Sequence, residues 1–303
     1  MATPGKLDFR PPIIGDSRWI VPILRKYGNC GSESAFGTLF IWCERLQHKV
    51  SYTADTLFIA FGIDNPSYQL PLGPMPLADS LRLIMEDAQS RGNSFRLWGL
   101  DERQRDAVET AMPGVFDFEL DRDGSDYVYT TQQMVTLAGR KLHRKRNHLS
   151  RFQRQYSYQY ERIGSDNLLE CQQFVIDWLF ANETTEDDAM RRETCALLKA
   201  LRFFDELAFV GGLLRIGGKV VAFTFGEAAN NEVFIIHFEK ALLEYDGAYA
   251  AINQEFAARE LTSFKYINRE EDLGIEGLRK AKLSYYPEYI LEKYVATRKD
   301  EAR

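Results

Sequence analysis

Residues 207–240 read LAFVGGLLRIGGKVVAFTFGEAANNEVFIIHFEK. Three runs rich in Val, Ile, Leu and Phe are separated by Gly217-Gly218 and by Asn230-Asn231. Such pairs accept the positive φ of tight hairpin turns, so the runs at 207–216, 219–227 and 233–240 predict an antiparallel three-strand meander. Downstream, helical spacing covers 247–261, a short strand 264–267, a helix 275–283 and a last strand 289–295. Upstream of the meander lie a strand at 157–162 and two helices at 166–182 and 186–205.

The amino-terminal half carries helices at 17–27 and 33–46, the second with Phe36, Leu39, Phe40 and Cys43 three and four apart. A hairpin follows at 49–53 and 56–63, then a Pro/Gly-rich loop at 70–76. A helix at 77–91 is stopped by Gly92-Asn93, and 95–98 is a strand. The helix at 101–112 ends at Pro113-Gly114, and 115–120 and 127–130 are two more strands. Thr131 is positioned to cap the helix that follows.

The halves resemble each other. A shift of 169 lays residues 86–102 over 255–271 and matches Glu86 with Glu255, Ala88 with Ala257, Ser94 with Ser263, Phe95 with Phe264 and Glu102 with Glu271. Both copies read helix, strand, acidic turn, helix, which is the pattern a duplicated α/β unit leaves.

At 303 residues, 45% hydrophobic and 27% charged, the chain is globular and long enough for two domains. Residues 1–12 show no signal-peptide pattern, and no apolar run approaches the ~20 residues that span a bilayer. Cys30, Cys43, Cys171 and Cys195 are scattered, without a C-x-x-C pair, so a soluble cytoplasmic protein with reduced thiols is expected and no metal site. His143 and His148 lie five apart, which is not the spacing of a helical metal pair.

Net charge is −6, from 38 basic and 44 acidic residues, yet 139–156 reads GRKLHRKRNHLSRFQRQY with no acid at all. As a helix this strip puts Leu142, Leu149 and Phe152 near one face and its charges in solvent, which is the plainer account of any charge run. The missing counter-charge in an otherwise acidic chain favours a phosphate-rich ligand instead.

Meander, helix, strand, helix, strand is the order of the Gcn5-related acyltransferase (GNAT) fold, and two in tandem resemble the Fem-type transferases that move aminoacyl groups from tRNA. Two motifs sharpen the likeness: Gly139-Arg-Lys-Leu-His-Arg-Lys-Arg-Asn-His148 followed by Phe152, and Tyr266-Ile-Asn-Arg-Glu-Glu-Asp-Leu-Gly274 continuing through Gly277-Leu-Arg-Lys-Ala-Lys-Leu-Ser-Tyr285 to Pro287. Together they resemble the bacterial family similar to the carboxy-terminal domain of phosphatidylglycerol lysyltransferase. The resemblance implies an α+β fold of two tandem GNAT-like domains, each a mixed sheet flanked by helices, at 1–138 and 139–303. The lysyltransferases carry a multi-span membrane region ahead of this domain. These 303 residues carry none, so the acceptor is expected to be a soluble amine or hydroxyl, a peptide, or a lipid headgroup reached from the cytoplasm.

The resemblance also implies an aminoacyltransferase drawing on aminoacyl-tRNA, with no bound cofactor. In that reading Asn268 orients a carbonyl, while Glu270 or Asp272 holds an acceptor ammonium or takes its proton. Lys141, Arg144, Lys145, Arg146 and Asn147, with Arg279 and Lys282 three apart on one helix face, bind donor phosphates or an oxyanion. The plainer account of 270–272 is an acidic helix start balanced by the later lysines and arginine. A CoA thioester is the alternative donor. It is disfavoured because residues 242–249, ahead of the main helix, hold one glycine and the acids Glu244 and Asp246 where a pyrophosphate would sit. A non-catalytic protein that binds RNA or anionic lipid on the same fold is the third possibility. His237 alternates with apolar neighbours and is expected to be a half-buried strand residue. Tyr156, Tyr158 and Tyr160 alternate on a strand, where cross-strand packing is the first explanation.

Overall fold

The computed structural model describes residues 6–63, 65–182 and 188–299. They form two compact units, Met1–Asp126 with Glu271–Gly274 and Leu291–Arg303, and Tyr127–Glu270 with Ile275–Ile290.

The first unit opens with α1 (Ser17–Tyr27), α2 (Phe36–Ile41) and α3 (Cys43–Leu46), followed by the β1–β2 hairpin (Lys49–Thr53, Thr56–Phe61). Next come β3 (Ser67–Tyr68), α4 (Leu77–Ser90), β4 (Arg96–Leu100), α5 (Glu102–Ala111) and β5 (Phe116–Thr130), which leaves the unit after Asp126. β3 pairs antiparallel with β2 and parallel with β4, Tyr68 opposite Leu97. The core gathers Phe58, Tyr68, Leu81, Ile84, Phe95, Leu97, Val108 and Phe116. Leu81, Ile84 and Ala88 form the buried stripe of α4 at helical spacing.

The helix expected over 33–46 is broken by extended Ala35 (φ −109°, ψ 136°) and again at Trp42. The cause is a buried polar network that claims the preceding backbone. Ser32 N–H donates to Asp126 Oδ2 at 2.8 Å, and Lys293 Nζ lies 2.7 Å from both Asp126 Oδ1 and Glu33 Oε2. Lys293 and Asp126 are fully buried. Burial opposes the Lys293 charge, but the surrounding carboxylates outweigh it and hold the ammonium protonated. Burial pushes the Glu33 carboxyl above its ordinary range.

The two strands expected at 115–120 and 127–130 are one strand, β5. The turn chemistry between them is real but local: Asp121 accepts the Gly124 N–H at 3.0 Å, and the Ser125 hydroxyl donates to the Asp121 carbonyl at 2.7 Å. These bonds distort the strand without ending it.

The second unit continues from β5 into α6 (Thr131–Thr136), α7 (His143–Gln155), β6 (Tyr158–Arg162), α8 (Leu168–Asn182) and α9 (Asp188–Arg202). The expected start of the last helix at residue 186 lies outside the described residues. The cap of α6 is Thr130, whose hydroxyl accepts from Gln133 N–H at 3.2 Å, rather than Thr131. The helix ends at Leu137, short of the basic strip, which occupies α7.

The meander forms as expected, with β7 (Val210–Ile216), β8 (Lys219–Ala228) and β9 (Val233–Ala241), and β6 pairs with β7. α10 (Ala248–Glu260) leads to β10 (Tyr266–Asn268), which runs parallel to β9 and antiparallel to β5. α11 (Glu276–Leu283) and β11 (Tyr289–Arg298) follow, and β11 pairs with β4 in the first unit. The 169-residue shift carries β4 onto residues 265–269, the place of β10, and α4 onto 246–259, the place of α10.

α7 packs on α10 through fully buried Phe152, which meets Ala248, Ala251 and Ile252. Burying that one ring contributes ~1.5–3 kcal/mol. Gly247 makes the approach possible, since its φ is +91° and an added Cβ would sit 2.7 Å from the His148 carbonyl oxygen.

Candidate active site

β9 and β10 pair in parallel from Val233 opposite Tyr266 to Ile235 opposite Asn268. β9 then runs on, while the chain after β10 turns away. Opposite β8 the register slips: Phe225 faces Phe238 and Gly226 faces Ile236, which leaves His237 as the extra residue of a bulge. Gly226 is obligatory there, because a Cβ would lie 1.8 Å from the Ile235 carbonyl oxygen.

The bulge aims the His237 ring between two carboxylates. Nε2 lies 3.0 Å from Glu227 and Nδ1 2.8 Å from Glu270, with the side chain 1% exposed. Burial by itself would discharge the imidazole, but these two hydrogen bonds overcome it and push the ring up to about 9. Both nitrogens therefore donate at neutral pH, and His237 is an imidazolium clamp, not a base. Glu270 reaches it from a left-handed backbone (φ +58°), a conformation that carries strain for a residue with a side chain. Three bonds hold it there. Asn268 Oδ1 accepts Glu270 N–H at 2.7 Å, while the Glu270 carbonyl accepts from Tyr127 N–H and, at 3.0 Å, from Lys282 Nζ.

Beside this clamp, Arg269 Nη2 donates to Glu239 Oε1 at 2.9 Å, and Asn253 Nδ2 donates to Glu239 Oε2 at 2.9 Å. The Arg269 guanidinium lies 5.0 Å from the Tyr285 ring centre and 5.8 Å from that of Tyr129. Its Nη1 and the Asn253 Oδ1 are buried without a hydrogen-bond partner in the protein. Lys145, from α7, places Nζ 4.0 Å over the Tyr285 ring. Burial, then repulsion from Arg269, lowers its ammonium to about 8, with Glu239 acting in the opposite sense. Burial pushes the Tyr285 phenol up to about 12, so it stays neutral.

The residues singled out from the sequence separate into different positions. Asn268 is fully buried and spends its side-chain oxygen on the Glu270 turn. Glu270 holds His237, and neither it nor its neighbours form a helix start, since α11 begins at Glu276. Asp272 belongs to the first unit, where it is buried and caps Gly274 N–H at 2.9 Å, with Arg122 3.5 Å away. Lys282 is buried, with Nζ donating to the Arg269 carbonyl at 2.6 Å and the Glu270 carbonyl at 3.0 Å. Arg279 is half-buried on the same helix.

In the strip, Arg146 binds the Leu137 and Gly139 carbonyls and so finishes the end of α6. Lys141 lies 5.4 Å from the Tyr286 ring, and Asn147 reaches His143 at 3.5 Å. Arg144 is exposed, and Arg151 pairs with Asp246 at 2.6 Å just ahead of α10. Of the strip, only Lys145 joins the Arg269–Glu239 group. The sequence reading did not select Glu227, Glu239, Asn253 or Arg269, and it read His237 as half-buried packing. Among the described residues no group of His, Cys, Asp and Glu is placed to hold a metal ion, and no helix is long and apolar enough to cross a membrane.

Solved structures share this architecture. A conserved protein of unknown function from Bacteroides thetaiotaomicron VPI-5482 is 39% identical, with a TM-score of 0.92 over 97% of this chain and 100% of that one. L-PGS from Bacillus licheniformis superposes at a TM-score of 0.67 with 15% identity over 94% of this chain and 92% of its own. FemX does so at 0.60 with 8% identity over 97% and 98%. The fold is thus mixed α+β and is shared with FemX. The family described as phosphatidylglycerol lysyltransferase, C-terminal, matches residues 24–297, and the chain belongs to it. An uncharacterised protein of Mycoplasmoides gallisepticum is 26% identical over 186 residues, and the match spans 58% of that protein's length and 59% of this chain.

Proposed function

We propose that the protein is an aminoacyltransferase that takes an aminoacyl ester from tRNA and passes it to an amine or hydroxyl acceptor. The observation that carries this reading is Lys145, a lysine brought by burial to about 8 and set beside the buried Arg269 guanidinium. An ester aminolysis needs a proton acceptor and an oxyanion donor, and these two side chains supply one of each. Neutral Lys145 takes the proton from the acceptor as its lone pair attacks the ester carbonyl carbon. Arg269 Nη1 donates to the oxygen that becomes negative. The carbon–oxygen bond to the tRNA ribose then breaks, and the proton passes from Lys145 to the departing ribose oxygen. His237 positions this group by holding Glu270, next in the chain to Arg269.

The exposed cations of the strip, Arg140, Lys141, Arg144 and Arg154, suit the tRNA phosphates. A CoA donor fits less well, because residues 242–249, leading into α10, hold a single glycine where a pyrophosphate needs a run of free backbone N–H groups. The acceptor in this reading is a small amine, a peptide or a lipid headgroup.

Lys145→Arg keeps the positive charge and removes the base. With bulk aminoacyl-tRNA as donor and hydroxylamine as surrogate acceptor, the rate above the uncatalysed background should rise with pH through about 8 in the native protein. The variant should lose about 100-fold or more while binding tRNA as before. An undiminished rate in the variant would remove Lys145 from the mechanism.

A further inference from the structure

Glu239 is the hinge of a three-residue chain drawn from three elements: Asn253 on α10, Glu239 on β9 and Arg269 just after β10. Its two carboxylate oxygens each accept one bond, from Arg269 Nη2 and from Asn253 Nδ2. The outer atom of each partner is unused. Arg269 Nη1 is a buried donor without an acceptor, and Asn253 Oδ1 is a buried acceptor without a donor, on a residue 2% exposed. Buried polar groups are nearly always paired, so two on the partners of one carboxylate point to a ligand that completes them. The Asn253 amide cannot be turned to remove the mismatch, because its oxygen would then face the Glu239 carboxylate.

The ligand's chemistry follows from the set. On one side it must offer several N–H donors and tolerate a carboxylate. On the other it must offer one oxygen acceptor. We infer that Glu239, Asn253 and Arg269 recognise the free α-ammonium and the adjacent carbonyl of the aminoacyl group, so that the donor must carry an unblocked α-amino group. The ammonium donates to Asn253 Oδ1 and to the remaining lone pairs of Glu239, and the carbonyl oxygen accepts from Arg269 Nη1. A simple acyl group would satisfy Arg269 alone. The Tyr129 and Tyr285 rings hold the guanidinium in place. A bound ammonium also drives the proton from Lys145, which arms the base when the right group is present. This inference rests on the aminoacyl-transfer reading and specifies which donors that reaction accepts.

The test measures equilibrium binding of three probes: uncharged bulk tRNA, the same tRNA aminoacylated, and the aminoacylated tRNA after acetylation of its α-amino groups. Aminoacylation should tighten binding, and acetylation should reverse the gain by about tenfold or more, the worth of a lost charge-assisted hydrogen bond. Glu239→Gln and Asn253→Ala should each abolish the discrimination while leaving uncharged tRNA affinity unchanged, and circular dichroism would confirm that both are folded. If acetylated and free aminoacyl-tRNA bind the native protein alike, both tighter than uncharged tRNA, the recognition site proposed here is wrong and the transfer reading survives. If charging makes no difference, or no tRNA binds, the aminoacyl-tRNA reading falls and this inference with it. The comparison on native protein decides the matter even if a variant fails to fold.

Discussion

His237 offers a thermodynamic test that needs no substrate. An imidazole that ordinarily titrates near 6.5 is held at about 9 by Glu227 and Glu270. At 1.36 kcal/mol per pH unit, that difference corresponds to ~3 kcal/mol of folding free energy. The sign follows from proton counting. Between 6.5 and 9 the folded protein holds a proton that the unfolded chain has released, so stability falls as pH rises through that window. Below 6.5 both states are charged and the contribution is complete.

Lys145 acts in the opposite sense over a neighbouring window. Its folded value near 8 lies below the ordinary 10.5, so stability rises between those two pH values. The measurement should therefore be a difference between native protein and His237→Gln in identical buffers, where Lys145 cancels. Gln has similar reach but carries no charge, which leaves two carboxylates, 12% and 19% exposed, without their cation at a cost of about 3 kcal/mol near pH 6.5. Urea denaturation followed by tryptophan fluorescence should show that gap shrinking by ~3 kcal/mol as pH reaches 9. The histidine ring resonance that disappears in the variant should titrate near 9 in the native protein. A gap that stays constant from 6.5 to 9, or a His237 resonance that titrates at or below 6.5, would refute the clamp.

Lys293→Met should destabilise the first unit by about 3–5 kcal/mol, because Asp126 and Glu33 would keep their burial and lose their ammonium. A melting temperature within a degree of the native value would contradict this. Gly247→Ala should cost roughly 1–3 kcal/mol through backbone strain and the clash with the His148 carbonyl, read as a lower urea midpoint. An unchanged midpoint would mean that α7 does not press on α10 as described.

What the sequence revealed and what it concealed divide along a physical line. The meander was legible because its signals are local: two-residue turns and runs of strand-forming residues. The bulge at His237 was not, because residues 233–236 are apolar at every position and so show no alternation that a one-residue slip would disturb. The partners that turn His237 into a cation lie 10 and 33 residues away. The break at Ala35 was hidden for the same reason, since the bonds that cause it join Ser32 to Asp126, 94 residues on. Long-range charge pairing is what a helical-spacing argument cannot weigh.

Residues 269–272 show how far the local reading of charge can mislead. As sequence they are one cation followed by three acids, which suits the first turn of a helix. In the fold each side chain goes to a different polar partner: Arg269 to Glu239, Glu270 to His237, Glu271 within 3.5 Å of the Ser32 hydroxyl, and Asp272 toward Arg122. The first two belong to the second unit and the last two to the first. Left-handed backbone at Glu270, Leu273 and Gly274 lets successive side chains leave in different directions, which no helix allows. Such strain persists only where surrounding bonds over-determine it, and it collects where a chain must present specific groups. Residues 269–272 are therefore best understood as four separate anchors. The one carrying an unmatched donor, Arg269, stands where the proposed chemistry needs it.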